Sequence, residues 1–218
     1  MNPQPAATTD IKATTVMDCA LDYIRRGWAV LPLWPIRAGA CACPKKGSLE
    51  GGHKPGKHPL YVAGLVEHGM TDATTDEVTI RRWWGAWSDA GIGIVCDKRS
   101  FLALDVDPRH GGDVNLNELE MLHGPLSETV ENLTGGDGRH VLFADPGVEI
   151  STKEIATGLE IKASGKGYIC APPTLHISGK CYRWRPGFGP DDLPLAPIPD
   201  WLRQKLQDSR SPVSVERK

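Results

Sequence analysis

The chain has 218 residues, with six cysteines, 24 glycines, 18 prolines and a formal net charge of -2 at pH 7. That length suffices for one large domain, the turn-forming residues favour a strand-rich fold, and the charge balance excludes a bulk positive field for nucleic acid, which would need a local basic patch. No apolar run approaches the ~20 residues of a membrane span, Met1 to Asp10 lacks the apolar core of a secretory signal, and cysteines in such a chain are expected to be reduced or metal-bound, in a cytoplasmic protein.

Residues 1–13 read as a disordered N-terminus, and residues 14–206 as a single domain. Thr14 or Thr15 can cap a first helix, in which Val16, Met17, Ala20, Leu21 and Ile24 recur at helical spacing and which Gly27 stops. Trp28 to Trp34 reads as a short buried strand ended by Pro35. From Arg37 to Lys57 almost nothing is apolar, so no core can form there. Thr74-x-x-Glu77 has the form of a capping box, followed by Ile80, Trp83, Trp84 and Trp87 at i, i+3, i+4 and i+7. Tryptophans can stack on bases, but this spacing reads first as core.

Ile92 to Val95 and Phe101 to Asp107 are expected to pair as a hairpin across Cys96 to Ser100. Asp113 is the expected cap of a helix running to His123, with Leu116, Leu119 and Leu122 on one side. Thr129 to Thr134 and Arg139 to Ala144 flank the turn Gly135-Gly136-Asp137-Gly138. Leu159 to Lys162 and Tyr168 to Ala171 are expected to pair around Ala163 to Gly167. Pro172-Pro173 ends that sheet segment. Cys181 to Trp184 reads as a last strand, and Asp200 caps a short helix over Trp201 to Leu206. Residues 207–218 read as a flexible tail. The order suggests an α+β domain with a mostly antiparallel sheet. Neither G-x-G-x-x-G nor G-x-x-x-x-G-K-[ST] is present, so a dinucleotide fold and a P-loop have no support.

The residues that carry chemistry fall into two groups. Cys41-x-Cys43, His53 and His58 place four metal ligands within a loop (inside 37–60) that has no core of its own, which suits a closed, structural zinc site. His68 is a substitute ligand, and free thiols with solvent-facing histidines are the alternative. The second group begins at Asp105 and Asp107, which share a strand face because side chains alternate. Two close carboxylates suit a divalent cation, though a lone Asp-x-Asp also fits a polar strand end. His140 and Arg139 follow a Gly-rich turn that could admit a phosphate or be a plain hairpin. Glu160 and Lys162 share another strand face, as a site pair or an exposed salt pair. If Asp105, Asp107, Glu160, His140, Arg139 and Lys162 met on one sheet face, they would suit two-metal phosphoryl transfer.

Leu104-Asp105-Val106-Asp107-Pro108-Arg109-His110-Gly111-Gly112, Thr134-Gly135-Gly136-Asp137-Gly138-Arg139-His140, and Leu159-Glu160-Ile161-Lys162 with Gly167-Tyr168-Ile169-Cys170-Ala171-Pro172-Pro173-Thr174 together resemble the motifs of the Prim-Pol family of the archaeo-eukaryotic primase superfamily. Gly56-Lys57-His58-Pro59 after a Cys-x-Cys resembles its zinc loop. The resemblance runs from about residue 15 to 185. It implies an RRM-like catalytic sheet packed with a smaller N-terminal α/β unit. It implies Asp105, Asp107 and Glu160 as ligands of Mg²⁺ or Mn²⁺, and His140 at the nucleotide phosphates, assisted by Arg139 and Lys162. It implies a DNA primase/polymerase of plasmid or phage replication that uses single-stranded template, primer and NTP or dNTP, with a replicative helicase as partner. Lys45, Lys46, Lys54, Lys57, Arg81 and Arg82 are candidates to hold the template. Glu160 stands where the superfamily often has Asp, Gly138 where it often has Ser, and His53 for a missing cysteine. A non-catalytic zinc-stabilised nucleic-acid-binding module and a metal-dependent nuclease are the alternatives.

Overall fold

The computed structural model describes residues 14–44 and 53–207. The expected disorder of residues 1–13, the tail beyond Gln207, and Lys45 and Lys46 lie outside them. Helix α1 (Val16–Arg25) starts at a capping box in which Thr15 and Asp18 satisfy each other's backbone donors, and Gly27 follows at φ 83°. Strand β1 (Val30–Leu33) is fully buried. A small ribbon, β2 (Ile36–Arg37) with β3 (Ala40–Cys41), leads into the Cys/His loop. Helix α2 (Glu77–Ala86) buries Ile80, Trp83 and Trp84, so these tryptophans are core. Its cap is Asp76, which accepts the Thr79 N–H, rather than Thr74. Thr74 is spent elsewhere, since its backbone exchanges two hydrogen bonds with Val30.

Next come β4 (Gly91–Val95), β5 (Leu102–Val106), α3 (Gly112–His123), β6 (Glu131–Leu133), β7 (Arg139–Ala144), β8 (Lys153–Ala156), β9 (Leu159–Lys162), β10 (Tyr168–Ala171), β11 (Arg183–Trp184), β12 (Ala196–Pro197) and α4 (Asp200–Gln207). They build a mixed α+β fold. One sheet has the order β1-β4-β10, and the larger has the order β11-β6-β7-β5-β9-β8, with β12 beside β7. All pairings are antiparallel except β12 with β7. Within the larger sheet, β6-β7-β5-β9 with α3 between β5 and β6 is the strand order of an RRM-like sheet.

The two expected hairpins around β5 and β9 do not form. β4 pairs with β1 and β10, whereas β5 pairs with β7 and β9. The segments Cys96 to Ser100 and Ala163 to Gly167 are therefore crossings between sheets, not hairpin turns. Local hydrogen bonds stabilise both crossings: Ser100 Oγ donates to the Val95 carbonyl, and Cys96 N–H donates to the Gly167 carbonyl. β4 can sit centrally because Gly91 and Gly93 leave room for side chains of flanking strands; a Cβ on Gly93 would meet Leu31 Cδ2 at 2.8 Å. On α3 the cap is Gly111, at φ 75°, and Asp113 lies in the first turn. Leu116 is buried and Leu119 partly so, but Leu122 is 75% exposed. A three-residue repeat drifts round a 3.6-residue helix and leaves the buried stripe within two turns.

Strand alternation gives the large sheet two different faces. Leu104, Val106, Val141, Phe143, Leu159 and Ile161 pack with Leu116 of α3 and with Leu202 and Leu206 of α4. On the opposite face, Phe101, Ala103 and Leu142 join Val30, Ile92, Ile94 and Ile169 of the smaller sheet and Trp28 and Trp84. That cover stops short of Asp105, His140 and Glu160. The open remainder of this face is the floor of a cleft of about 1010 Å³.

The end of β5 is clamped by backbone. Asp107 N–H donates to the Gly158 carbonyl, Gly112 N–H to the Asp107 carbonyl, and Asn115 Nδ2 to the Thr157 carbonyl. A Cβ on Gly112 would overlap the Gly158 carbonyl and lie 2.8 Å from Asp107 N, and rigid backbone cannot give way. Gly112→Ala is expected to lower the unfolding free energy by about 1–3 kcal/mol, measured by urea denaturation. Unchanged stability would show that this clamp is loose.

Candidate active site

Asp105 lies opposite His140 on β7 and opposite Glu160 on β9. The sheet thus lines up His140, Asp105 and Glu160 in one row across three strands. His140 Nε2 is 3.6 Å from Asp105 Oδ1. Lys162, two residues along from Glu160 on the same face, places Nζ 2.7 Å from Glu160 Oε2 and 3.5 Å from Asp105 Oδ2. Burial opposes the charge on Lys162, yet Glu160 and Asp105 outweigh it and hold the ammonium above its ordinary range. One lysine between two carboxylates leaves excess negative charge, which suits a hard cation.

Asp107 is held differently. Its carboxylate accepts Arg109 N–H, Nε and Nη2 and contacts His110 Nδ1 at 3.0 Å, capping the short turn Pro108–His110. Arg109 keeps this carboxyl far below the usual range against partial burial, with His110 adding to the effect. Asp107 lines the same cleft as Asp105 and Glu160, but its oxygens are committed to these neighbours. Among the described residues, the one set of three or more ligand atoms already converged for a metal is the Cys/His group.

His140 is buried and its environment is tightly specified. Asn132, its register partner on β6, brings Nδ2 within 2.7 Å of the Cys170 carbonyl and 3.0 Å of His140 Nδ1. A carbonyl can only accept, so that amide nitrogen donates to both, and the neutral imidazole carries its proton on Nε2, towards Asp105. Burial pushes His140 down to about 4, despite the opposing pull of Asp105. The ring stacks on Tyr182 at 6.2 Å, and Tyr182 in turn meets His176 edge to face.

Arg139 is not brought to this place. It alternates to the other face of β7 and pairs with Glu131 at 3.4 Å, where Arg185 also binds. The Gly-rich turn before His140 does not offer all its amides either: Gly136 and Gly138 N–H both donate to Thr134 Oγ1. Arg81 and Arg82 bond Glu77 and the Gly64 carbonyl on the outside of α2, whereas Lys54 and Lys57 line the cleft. Asn132, His176 and Tyr182 escaped sequence reasoning. Asn132 sits in a short strand, Glu131-Asn132-Leu133, that carries no motif, and the other two are recognisable only once Pro172 to Tyr182 is seen to pack beside β6 and β7.

Cys41, Cys43, His53 and His58 come together with all four ligand atoms within 4.8 Å of one another. Cys41 Sγ is 3.4 Å from His58 Nε2, Cys43 Sγ 3.2 Å from His53 Nε2, and the two Nε2 atoms are 3.1 Å apart. A tetrahedron with Zn–S of ~2.3 Å and Zn–N of ~2.0 Å has edges of roughly 3.3–3.8 Å, so this group could hold zinc. His68 is apart from it, exposed and bonded to Asp72. The Tyr168 hydroxyl donates to the Lys57 carbonyl, and thereby fixes the loop against β10.

Residues 20–201 match the model of the Prim-Pol family, described as bifunctional DNA primase/polymerase, N-terminal. No curated protein matches the chain. No helix among the described residues is long and apolar enough to cross a membrane.

The Cys/His geometry makes a direct prediction. Purified protein should carry about one zinc per chain, and Cys41→Ser should lose most of it and melt at a lower temperature, by elemental analysis and thermal unfolding. Unchanged zinc in that variant would refute this ligand set.

Proposed function

The chain belongs to the Prim-Pol family of bifunctional DNA primase/polymerases, and from that premise we propose that residues 14–206 act as one catalytic unit, a template-dependent nucleotidyltransferase. The observation that carries the proposal is the placement of Asp105 opposite both Glu160 and His140 on the open face of the sheet. In this reading a terminal 3'-hydroxyl attacks the α-phosphate of a nucleoside triphosphate, a new P–O bond forms, and pyrophosphate leaves. During priming the hydroxyl belongs to a first nucleotide.

Asp105, Asp107 and Glu160 are hard carboxylate donors lining one cleft, the donor set that Mg²⁺ or Mn²⁺ requires. Bound there, two such ions would supply Lewis-acid activation of the hydroxyl and neutralise charge on the leaving group. The chain's own residues do the rest. Asn132 holds His140 as an Nε2–H donor for a phosphate oxygen. Lys162 neutralises charge beside Asp105 and Glu160, and Lys54 and Lys57 add positive charge for template or triphosphate. Zinc held by Cys41, Cys43, His53 and His58 keeps the loop that carries these lysines in place. The template must be single-stranded, so a replicative helicase is the partner this reading calls for.

The test is synthesis on primed and unprimed single-stranded template with labelled NTP or dNTP and Mg²⁺ or Mn²⁺. Wild type should extend the primer, and Asp105→Ala with Asp107→Ala should lose at least about 10³-fold in rate while still folding. Template binding without synthesis under every condition would favour a non-catalytic module, and template degradation a nuclease.

A further inference from the structure

His176 lies between β10 and β11, is only 4% exposed, lines the cleft and, like His140, packs against Tyr182. Its Nδ1 accepts the Ser178 N–H at 3.2 Å, while Ser178 Oγ anchors the segment to the Gly135 carbonyl at 2.6 Å. The Nε2 edge has no hydrogen-bond partner among the described residues. Gly135 permits this seating, because a Cβ there would overlap His176.

Arg109 approaches the same point from β5. Its Nε and Nη2 are used by Asp107, but Nη1 is not. The place a Cβ would occupy on Gly136 lies 3.6 Å from His176 Cε1 and 3.7 Å from Arg109 Nη1. Arg109 Cζ also lies 3.6 Å from that place, so the missing Gly136 side chain leaves a small gap between the imidazole and the guanidinium. Lys57, which lines the same cleft, contributes a second positive charge: with Arg109 it adds to the burial that lowers the affinity of His176 for a proton. Of the neighbouring acids, Asp137, whose charge acts on His176, is paired with Lys180 at 2.6 Å, and Asp107 is held on the other edge of Arg109. An imidazole N–H and two cationic side chains lining one cleft are what a phosphate requires.

We propose that His176, Arg109 Nη1 and Lys57 form a second phosphate subsite, roofed by the side-chain-free Gly136 and separate from the His140 position. It rests on the nucleotidyltransferase reading for its place in a reaction, but phosphate binding itself does not. The phosphate comes either from the incoming triphosphate or from the nucleic-acid backbone. Gly136 has no left-handed backbone angle and its Cβ contacts would be ordinary van der Waals distances, so Gly136→Ala fills the gap without disturbing the fold.

The experiment measures dNTP affinity and single-stranded DNA affinity separately, with Ca²⁺ to prevent turnover, for wild type, Gly136→Ala, His176→Gln and Lys57→Ala, with melting temperature as control. A loss of about tenfold or more in dNTP affinity alone, with a raised KM and little change in kcat, assigns the subsite to the triphosphate. The same loss in DNA affinity alone assigns it to the backbone. Unchanged affinity for both ligands in folded Gly136→Ala and Lys57→Ala overturns the subsite, whether or not the wild type polymerises. A wild type that binds neither ligand overturns it also. If the wild type shows variant-sensitive binding but no synthesis, the subsite stands and the polymerase reading fails.

Discussion

The pairing of β5 with β7 on one side and β9 on the other is the constraint on which the site depends. Because Asp105 faces both His140 and Glu160 in register, residues up to 55 positions apart in sequence become neighbours across about 5 Å of sheet spacing. A slip of one residue on β9 would turn Glu160 and Lys162 into the helical core and bring Leu159 and Ile161 into the cleft. The apolar stripe of Leu104, Val141 and Ile161 against α3 and α4 opposes such a slip. The hydrophobic face thus aligns the polar one.

Charge on the polar face is balanced in an ordered way. Lys162 serves Asp105 and Glu160, Arg109 serves Asp107, and His140 stays neutral through burial. Arg109 has a double position, since two of its nitrogens hold Asp107 while its guanidinium borders the place that a Gly136 side chain would fill. Anything that draws Arg109 towards that gap also bears on Asp107. In the same cleft, Cys41, Cys43, His53 and His58 meet from either side of a stretch with almost nothing apolar, and Tyr168 holds Lys57, one residue before His58. The Cys/His group and the open face of the sheet thereby border one cleft.

Much of this was legible in the residues, and what was not had a common cause. Local signals held: the Thr15 cap, the Ile80-Trp83-Trp84 face, the Gly-rich hairpin between β6 and β7, and the Cys/His cluster all rest on contacts close in sequence. The partners of β4, β5, β9 and β10 were misread because short turns suggested hairpins, while the burial of both faces of β4 demanded a central place in another sheet. Periodicity reports a strand's faces, not its neighbours. The acids Asp105 and Glu160 were recognisable by motif, yet their adjacency is a property of sheet order. Arg139 shows the converse: it stands next to His140 in sequence, and alternation places it on the other side of the sheet.

The most direct measurement is a crystal structure of the protein with Mn²⁺ and a non-hydrolysable nucleoside triphosphate, with anomalous scattering recorded for manganese. Anomalous density between the carboxylates of Asp105, Asp107 and Glu160, with Asp107 released from Arg109 and phosphate oxygens at His140 Nε2, is the expected result. Manganese bound elsewhere, or a triphosphate seated away from β5 with Asp107 still closed on Arg109, would contradict it.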